Sequence, residues 1–238
     1  MPLIVFQTLF TLFLYVIGVV VLGLAGIPAL FLLYGIWQGT YGVPVPLRLA
    51  LFSFGAGAAY FLFGMALIAV VSLLRWIFRL DLREGEYRMM SWGCVRWLFA
   101  NALQLVVSVV FMDFILLTPF AALFFRLMGA KVGKNAQINS KSCADLSLLE
   151  IGEDAVIGGH ATVICHSFER HRLILKKVKI GKRAIIGLNA VLLPGCEIGE
   201  GALVAAGAVL GKGTVVPPHG VFSGVPAQSA KERHLRED

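Results

Sequence analysis

The segment CHSFERHRLILKKVK, from Cys165 to Lys179, gathers two of the chain's five histidines with Arg170, Arg172, Lys176, Lys177 and Lys179. Imidazole changes charge near neutral pH, so His166 or His171 could take the proton from an attacking alcohol or amine. Any transfer in which a hydroxyl or amine attacks a carbonyl needs such a base. It also needs a donor for the developing oxyanion, a role open to a backbone N–H. Glu169 is a candidate to orient an imidazole ring; the plainer alternative is a solvated loop carboxylate. The remaining histidines offer less: His160 takes an outward position, His219 follows two prolines, and His234 lies in a charged tail. His166 and His171 are five apart with no third partner in view, which argues against zinc.

A loop of this kind must be held by rigid elements, and the flanking sequence supplies them. From Ile180 the chain reads IGKRAI, IGLNAV, LLPGCE, IGEGAL, VAAGAV, LGKGTV without a slip. The first positions (Ile180, Ile186, Leu192, Ile198, Val204, Leu210) are aliphatic, and the fifth (Ala184, Ala190, Cys196, Ala202, Ala208, Thr214) are small. Neither a helix nor a flat strand repeats every six residues, but a triangular coil with three short strands per turn does. Earlier hexads start at Val132 and Ile151, with a one-residue slip between Ala144 and Glu150. A 17-residue gap from Val163 to Ile180 shows that the histidine-bearing loop leaves the coil there. Pro217-Pro218 are expected to end it.

The other half is different in kind. The chain is 58% apolar and 15% charged, and no Asp, Glu, Lys or Arg precedes Arg48 or lies between Arg48 and Arg75. Leu3 to Trp37 and Leu49 to Leu74 are each long enough to cross a bilayer, with Gly26 and Pro28 as places where the first could break. The link Arg75 to Arg96 carries five arginines against three acids, which predicts a cytoplasmic location for it and for Met1. The third apolar stretch, Trp97 to Phe125, contains Asp113 and Thr118-Pro119 and is read as a re-entrant hairpin packed in protein, the alternative being an ordinary third span. These features predict an α-helical membrane domain over 1–128, an all-β left-handed parallel β-helix over 129–226 and a charged tail over 227–238. The net charge of +7 is dispersed, with no zinc-finger spacing or Arg-rich run, so an anionic leaflet and not nucleic acid is the expected partner. The cysteines, Cys94, Cys143, Cys165 and Cys196, show no paired spacing and read as reduced and structural.

The hexads, with the closing SGVPA at Ser223 to Ala227, resemble the hexapeptide-repeat acyltransferases over about 95 residues. More specifically, GEYRMMSWGCVRW from Gly85, LMGAKVG from Leu127, DLSLLEIG from Asp145 and CHSFE from Cys165 resemble the membrane-bound C-terminal region of poly-lysine-synthetase-type nonribosomal peptide synthetases and their stand-alone relatives. The resemblance implies a homotrimer that binds acetyl-CoA or another acyl-CoA in the groove between neighbouring coils, without a metal. It assigns His166 the role of base, because His166 follows ATVIC as the catalytic histidine of galactoside-type acetyltransferases follows its own β segment. It places Lys212 at the coenzyme A phosphates, within AGAVLGKG from Ala206, and Lys231 where a second basic residue occurs. Leu188 departs from the polar residue common in soluble members. The γ-class carbonic anhydrases share the coil, but Leu188 and Leu193 stand where two of their zinc-binding histidines would be.

The expected function is therefore acyl transfer at the cytoplasmic face of the inner membrane, to a hydroxyl or amine of a lipid-linked or membrane-proximal acceptor. A carrier-protein thioester as donor, or a non-catalytic membrane-anchored trimeric scaffold, are the alternatives.

Overall fold

A computed structural model describes residues 2–230. The chain forms two compact units. One runs to Phe78 and takes in Ala102–Phe111; the other comprises Arg79–Asn101 and the chain from Met112 on. This division differs from a single boundary at residue 128, because the link after the second long helix folds with the coil.

In the helical unit, α1 (Pro2–Gly39) and α2 (Val45–Ile77) pack on each other. Pro28 lies inside an unbroken α1, so it does not end the helix as its type suggested. Proline removes one N–H from the ladder, and the long run of apolar residues on either side keeps the remaining helix intact. Gly55 lets the two helices approach: a Cβ there would fall 2.3 Å from Ile36 Cδ1. Arg48, near the start of α2, stacks on the Trp37 ring at 3.8 Å and donates to the Trp37 carbonyl at 3.2 Å. α3 (Trp92–Val110) supplies the rest of the unit with its second half; Tyr60 donates to the Val110 carbonyl at 2.7 Å, and a Cβ on Gly64 would enter the Phe111 ring. Thr8–Gly39, Val45–Ile77 and Trp92–Val110 are long and apolar enough to cross a membrane, with side chains such as Phe31 and Phe54 exposed outward.

α3 ends at Val110, and two short helices follow, α4 (Met112–Ile115) and α5 (Pro119–Leu127). Pro119 starts α5 where its missing N–H costs nothing, and the Thr118 hydroxyl accepts from Phe120 N at 3.2 Å. Asp113, expected to be packed within an apolar segment, is instead more than half exposed on the coil unit and pairs with Lys141 at 2.6 Å.

The coil is a left-handed parallel β-helix. Its strands are two or three residues long and stack on three faces. Ile185–Ile186 pairs in parallel with Leu203–Val204, and that strand with Val221–Phe222, at steps of 18 residues, three hexads per turn. Each two-residue strand sends one side chain in and one out. Ile186, Leu192, Val204 and Leu210 are fully buried, whereas Ile185 and Leu203 face outward. The small fifth positions Ala184, Ala190, Cys196 and Ala208 are also fully buried. Gly187 follows Ile186 at a corner, where a Cβ would lie 2.5 Å from the Ala206 nitrogen of the next coil.

Two departures from the 18-residue step position the site. Val156 pairs with Ile185, 29 positions on, and the 11 extra residues form a hairpin of His166–Glu169 and Arg172–Leu175. Val132 pairs with Ile151, 19 on, and the extra residue falls beside a 3₁₀ turn, Leu146–Leu148. The coil also outlasts Pro217-Pro218: Val221–Ser223 adds a strand, and Gln228–Ser229 closes it antiparallel. Gly181 N donates to the Ile198 carbonyl and Gly199 N to that of Val216. The equivalent donor one turn later would be residue 217, which has no further coil to serve among the described residues, so Pro217 forfeits nothing.

Candidate active site

His166 is the first residue of the inserted hairpin, immediately after the buried Cys165 that closes the coil's inner layer. Its side chain is 23% exposed, and its Nδ1 lies 2.6 Å from Oδ2 of Asp145, whose side chain is wholly buried. Asp145 takes three further donors. The Cys165 backbone N–H donates to Oδ2 at 3.2 Å, while Trp97 Nε1 and Asn101 Nδ2 donate to Oδ1 at 2.6 and 2.9 Å. A carboxylate whose other three partners can only donate is an acceptor on both oxygens. The shared hydrogen therefore belongs to His166 Nδ1, which leaves the lone pair on Nε2; the tautomer is assigned from this network. This is the arrangement a general base needs, with one ring nitrogen held and the other free to accept a proton.

The local sequence explains how Asp145 reaches this position. It lies in the one-residue slip of the repeat with φ 58°, a left-handed conformation that Asp tolerates better than most residues. The slip was legible in the sequence, and DLSLLEIG was among the segments carrying the family likeness, but nothing in the spacing tied Asp145 to a histidine 21 residues on. Trp97 and Asn101 were read as membrane residues. They stand one turn apart on α3, on the same side of a helix long and apolar enough to cross a membrane, and both reach Asp145. The Trp97 ring also meets His166 edge-on at a centroid distance of 4.9 Å, and Phe168 closes a cluster of three rings at 5.4 Å from Trp97 and 5.9 Å from His166.

Glu169 does not orient the His166 ring in this arrangement. Its carboxylate accepts from Ser167 Oγ at 3.2 Å and pairs with Lys212. The Lys212 ammonium, with a further hydrogen bond from Ser167, holds the Glu169 carboxyl below its ordinary range. The physical reason is reach: side chains three apart on an extended strand point to opposite faces. His171 sits at the hairpin tip with φ 64°, and no third ligand joins it and His166 in a metal-binding cluster among the described residues.

Cys165, next to His166, is not available as a nucleophile. Its thiol faces the core, and burial first, then the nearby Asp145 carboxylate, push it well above its usual range. Cys143, on the neighbouring strand position, is pushed up to about 12 by burial.

Ala206 and Lys212 lie on adjacent exposed corners, and a Cβ on Gly207 or Gly213 would meet nothing within 4 Å. The two corners are open to an extended ligand, and the pairing of Lys212 with Glu169 shows that this cation reaches the hairpin begun by His166. Lys231 lies outside the described residues.

A third strand, Gly85–Arg88, adds antiparallel to Arg172–Leu175. Arg172 Nη1 to Glu86 at 2.8 Å and the Lys177 N–H to Glu84 at 2.9 Å reinforce it. The segment after α2 is thus built into the hairpin that carries the site.

The family model described as bacterial transferase hexapeptide (six repeats) matches residues 177–212. The chain is 23% identical over 172 residues to a delta-poly-L-ornithine synthetase of Acinetobacter baumannii (strain AB307-0294), covering 70% of this chain and 12% of that protein. It is 32% identical over 114 residues to YvoF, a candidate acetyltransferase of Bacillus subtilis (strain 168), covering 45% of this chain and 64% of the relative. The chain thus spans less than two thirds of either curated relative. Among solved structures, a galactoside acetyltransferase in complex with coenzyme A is similar at TM-score 0.47 and 19% identity, covering 61% of this chain and 85% of the other. A Vibrio cholerae hexapeptide-repeat acetyltransferase complexed with acetyl coenzyme A is similar at TM-score 0.47 and 18% identity, covering 67% and 96%. The unbroken hexads, the three-faced coil and the match of the family model over residues 177–212 show a hexapeptide-repeat coil in this chain.

Proposed function

We propose that this protein transfers an acyl group from a coenzyme A thioester to a hydroxyl or amine of a membrane-associated acceptor, with His166 as general base and Asp145 holding its ring. The observation that carries this reading is the 2.6 Å contact between His166 Nδ1 and a buried carboxylate that three other donors saturate. Nε2 takes the acceptor proton as the oxygen or nitrogen attacks the thioester carbonyl; the C–S bond then breaks and the proton passes to the leaving thiolate. The buried Cys165 thiol favours direct transfer over a covalent acyl-enzyme. The reading is tested by following free thiol released from acetyl-CoA by the full-length protein in lipid, supplied with a membrane lipid extract. Release by the wild type that His166→Ala lacks separates it from a trimeric scaffold.

The similarity to the poly-L-ornithine synthetase over 70% of the chain favours a second donor, an aminoacyl or peptidyl thioester on a carrier protein. The same base would serve, with an amine as the acceptor.

Lys212 is read as the cation for the coenzyme A phosphates, with Glu169 as its resting partner. Lys212→Ala is expected to raise the Kd for acetyl-CoA about tenfold, on the scale of one charge-assisted hydrogen bond. Glu169→Gln should leave turnover within about threefold and not weaken binding. Calorimetric titration of both variants checks this, and an unchanged Kd in Lys212→Ala would remove the assignment.

The same reading places the protein as a homotrimer in the inner membrane with its coil in the cytoplasm. The strand Gly85–Arg88 shares a sheet with the coil's hairpin, which supports one side of the membrane for both. In this reading the third apolar stretch, Trp97 to Phe125, returns to the side it left, with the breaks after Val110 and at Thr118-Pro119 as the places where the chain turns. In a Cys94→Ser background, cysteines placed at Met89 and at Lys182 should both resist an impermeant maleimide in intact cells. Labelling of either from outside contradicts the topology.

A further inference from the structure

The general-base reading makes Asp145 the partner of His166, and Asp145 is itself held from a different part of the chain. Both of its Oδ1 partners, Trp97 Nε1 at 2.6 Å and Asn101 Nδ2 at 2.9 Å, come from α3, whose second half belongs to the helical unit. Oδ2 is left to His166 and the Cys165 N–H. The coil supplies the acid and the base, while α3 supplies the donors that fix the carboxylate's rotation.

We infer that Trp97 and Asn101 are positioning residues, through which α3 sets both the orientation and the proton affinity of the Asp145–His166 pair. Resting on the general-base reading, the inference adds that the pair is complete only with α3 in place.

The geometry supports a specific role for each residue. Asn101 is anchored by a second bond, from the same Nδ2 to the Trp97 carbonyl at 3.0 Å, so its amide is fixed before it meets the carboxylate. Trp97 does two things at once: its N–H binds Oδ1, and its ring packs edge-on against the imidazole at 4.9 Å. A buried carboxylate with fewer donors is a stronger base. Removing either α3 donor therefore leaves a more strongly accepting carboxylate beside Nδ1–H, which favours the imidazolium, so Nε2 keeps its proton to a higher pH.

The other charged or titratable groups near the pair do not supply this effect. The Cys143 and Cys165 thiols are buried and pushed up, so they stay neutral. Glu169 is engaged with Lys212 and Ser167, with Lys176 nearby, on the hairpin. Arg96, next to Trp97 on α3, is the remaining charge on that helix turn and is untouched by the substitutions below.

The test uses full-length protein in lipid nanodiscs with ¹³Cε1-labelled histidine, and follows the resonance that disappears in His166→Ala. Its titration midpoint should rise by about one pH unit in Asn101→Leu and again in Trp97→Phe, which keeps an aromatic ring but loses the N–H. Thiol release from acetyl-CoA should fall about five- to tenfold in kcat with KM within about twofold. Midpoints unmoved in the folded variants would overturn the inference, since a merely structural role lowers the amount of active protein without moving a titration. If Asn101→Leu does not fold, Trp97→Phe decides alone. Full turnover by His166→Ala would instead remove the general-base reading; loss of turnover there with unmoved midpoints would remove only the role of α3.

Discussion

His166→Ala is expected to lower acyl transfer by at least about 100-fold, the scale of losing a positioned general base. At the working pH an alcohol or amine attacks a thioester slowly unless its proton is removed in the transition state. Among the described residues near the hairpin root, the Nε2 of His166 is the base whose other nitrogen is held by a buried carboxylate. The fold should survive the change. The side chain is partly exposed and makes edge-on ring contacts with Trp97 and Phe168, worth about 1 kcal/mol, and the inward side chains of the coil remain in place. His171→Ala, at the hairpin tip, should stay within about threefold of the parent. Steady-state thiol release with size-exclusion and thermal-unfolding controls checks both, and near-normal turnover in His166→Ala would move the role to His171.

The hexads were legible because one interior position per face forces a strict period: a wrong residue at Ile186 or Ala190 would meet the core at once. The hairpin was legible as an interruption of that period, and its first histidine as the base by resemblance. Asp145 was not, since a contact between residues 21 apart depends on which coils stack, and the slip marks where the repeat breaks without saying what the freed residue meets. The role of α3 was hidden for a related reason. Trp97 and Asn101 stand at the edge of an apolar stretch, and hydropathy averages over the two side chains that point to the coil. Glu169 misled because closeness in sequence is not closeness across an extended strand; its ion pair with Lys212, 43 positions away, depends on the turn stack. Asp113 misled likewise: an acid in an apolar run suggested a buried polar group, and its partner Lys141 lay beyond the run.

Asp145→Asn should lower turnover by about 10³- to 10⁴-fold, as much as or more than loss of the imidazole itself, although it changes a single heavy atom. An amide offers one acceptor and one donor group where the carboxylate offers two acceptors. Trp97 Nε1 and Asn101 Nδ2 are both donors, so the carbonyl oxygen of the new side chain must turn toward them. The amide NH₂ then faces His166 Nδ1 and the Cys165 N–H. It can donate to the ring only if Nδ1 carries the lone pair, which puts the hydrogen on Nε2 and leaves the imidazole unable to accept a proton from the acceptor. A wrong tautomer held in an otherwise intact site is known to cost catalysis on this scale. The Cys165 N–H, now opposite another donor and buried, adds a stability loss of about 1–3 kcal/mol. The measurement is turnover beside the denaturation midpoint of the same preparation. A folded Asp145→Asn protein with turnover within tenfold of the parent would mean that Asp145 is a structural contact of the coil and that His166 acts, if it acts, without it.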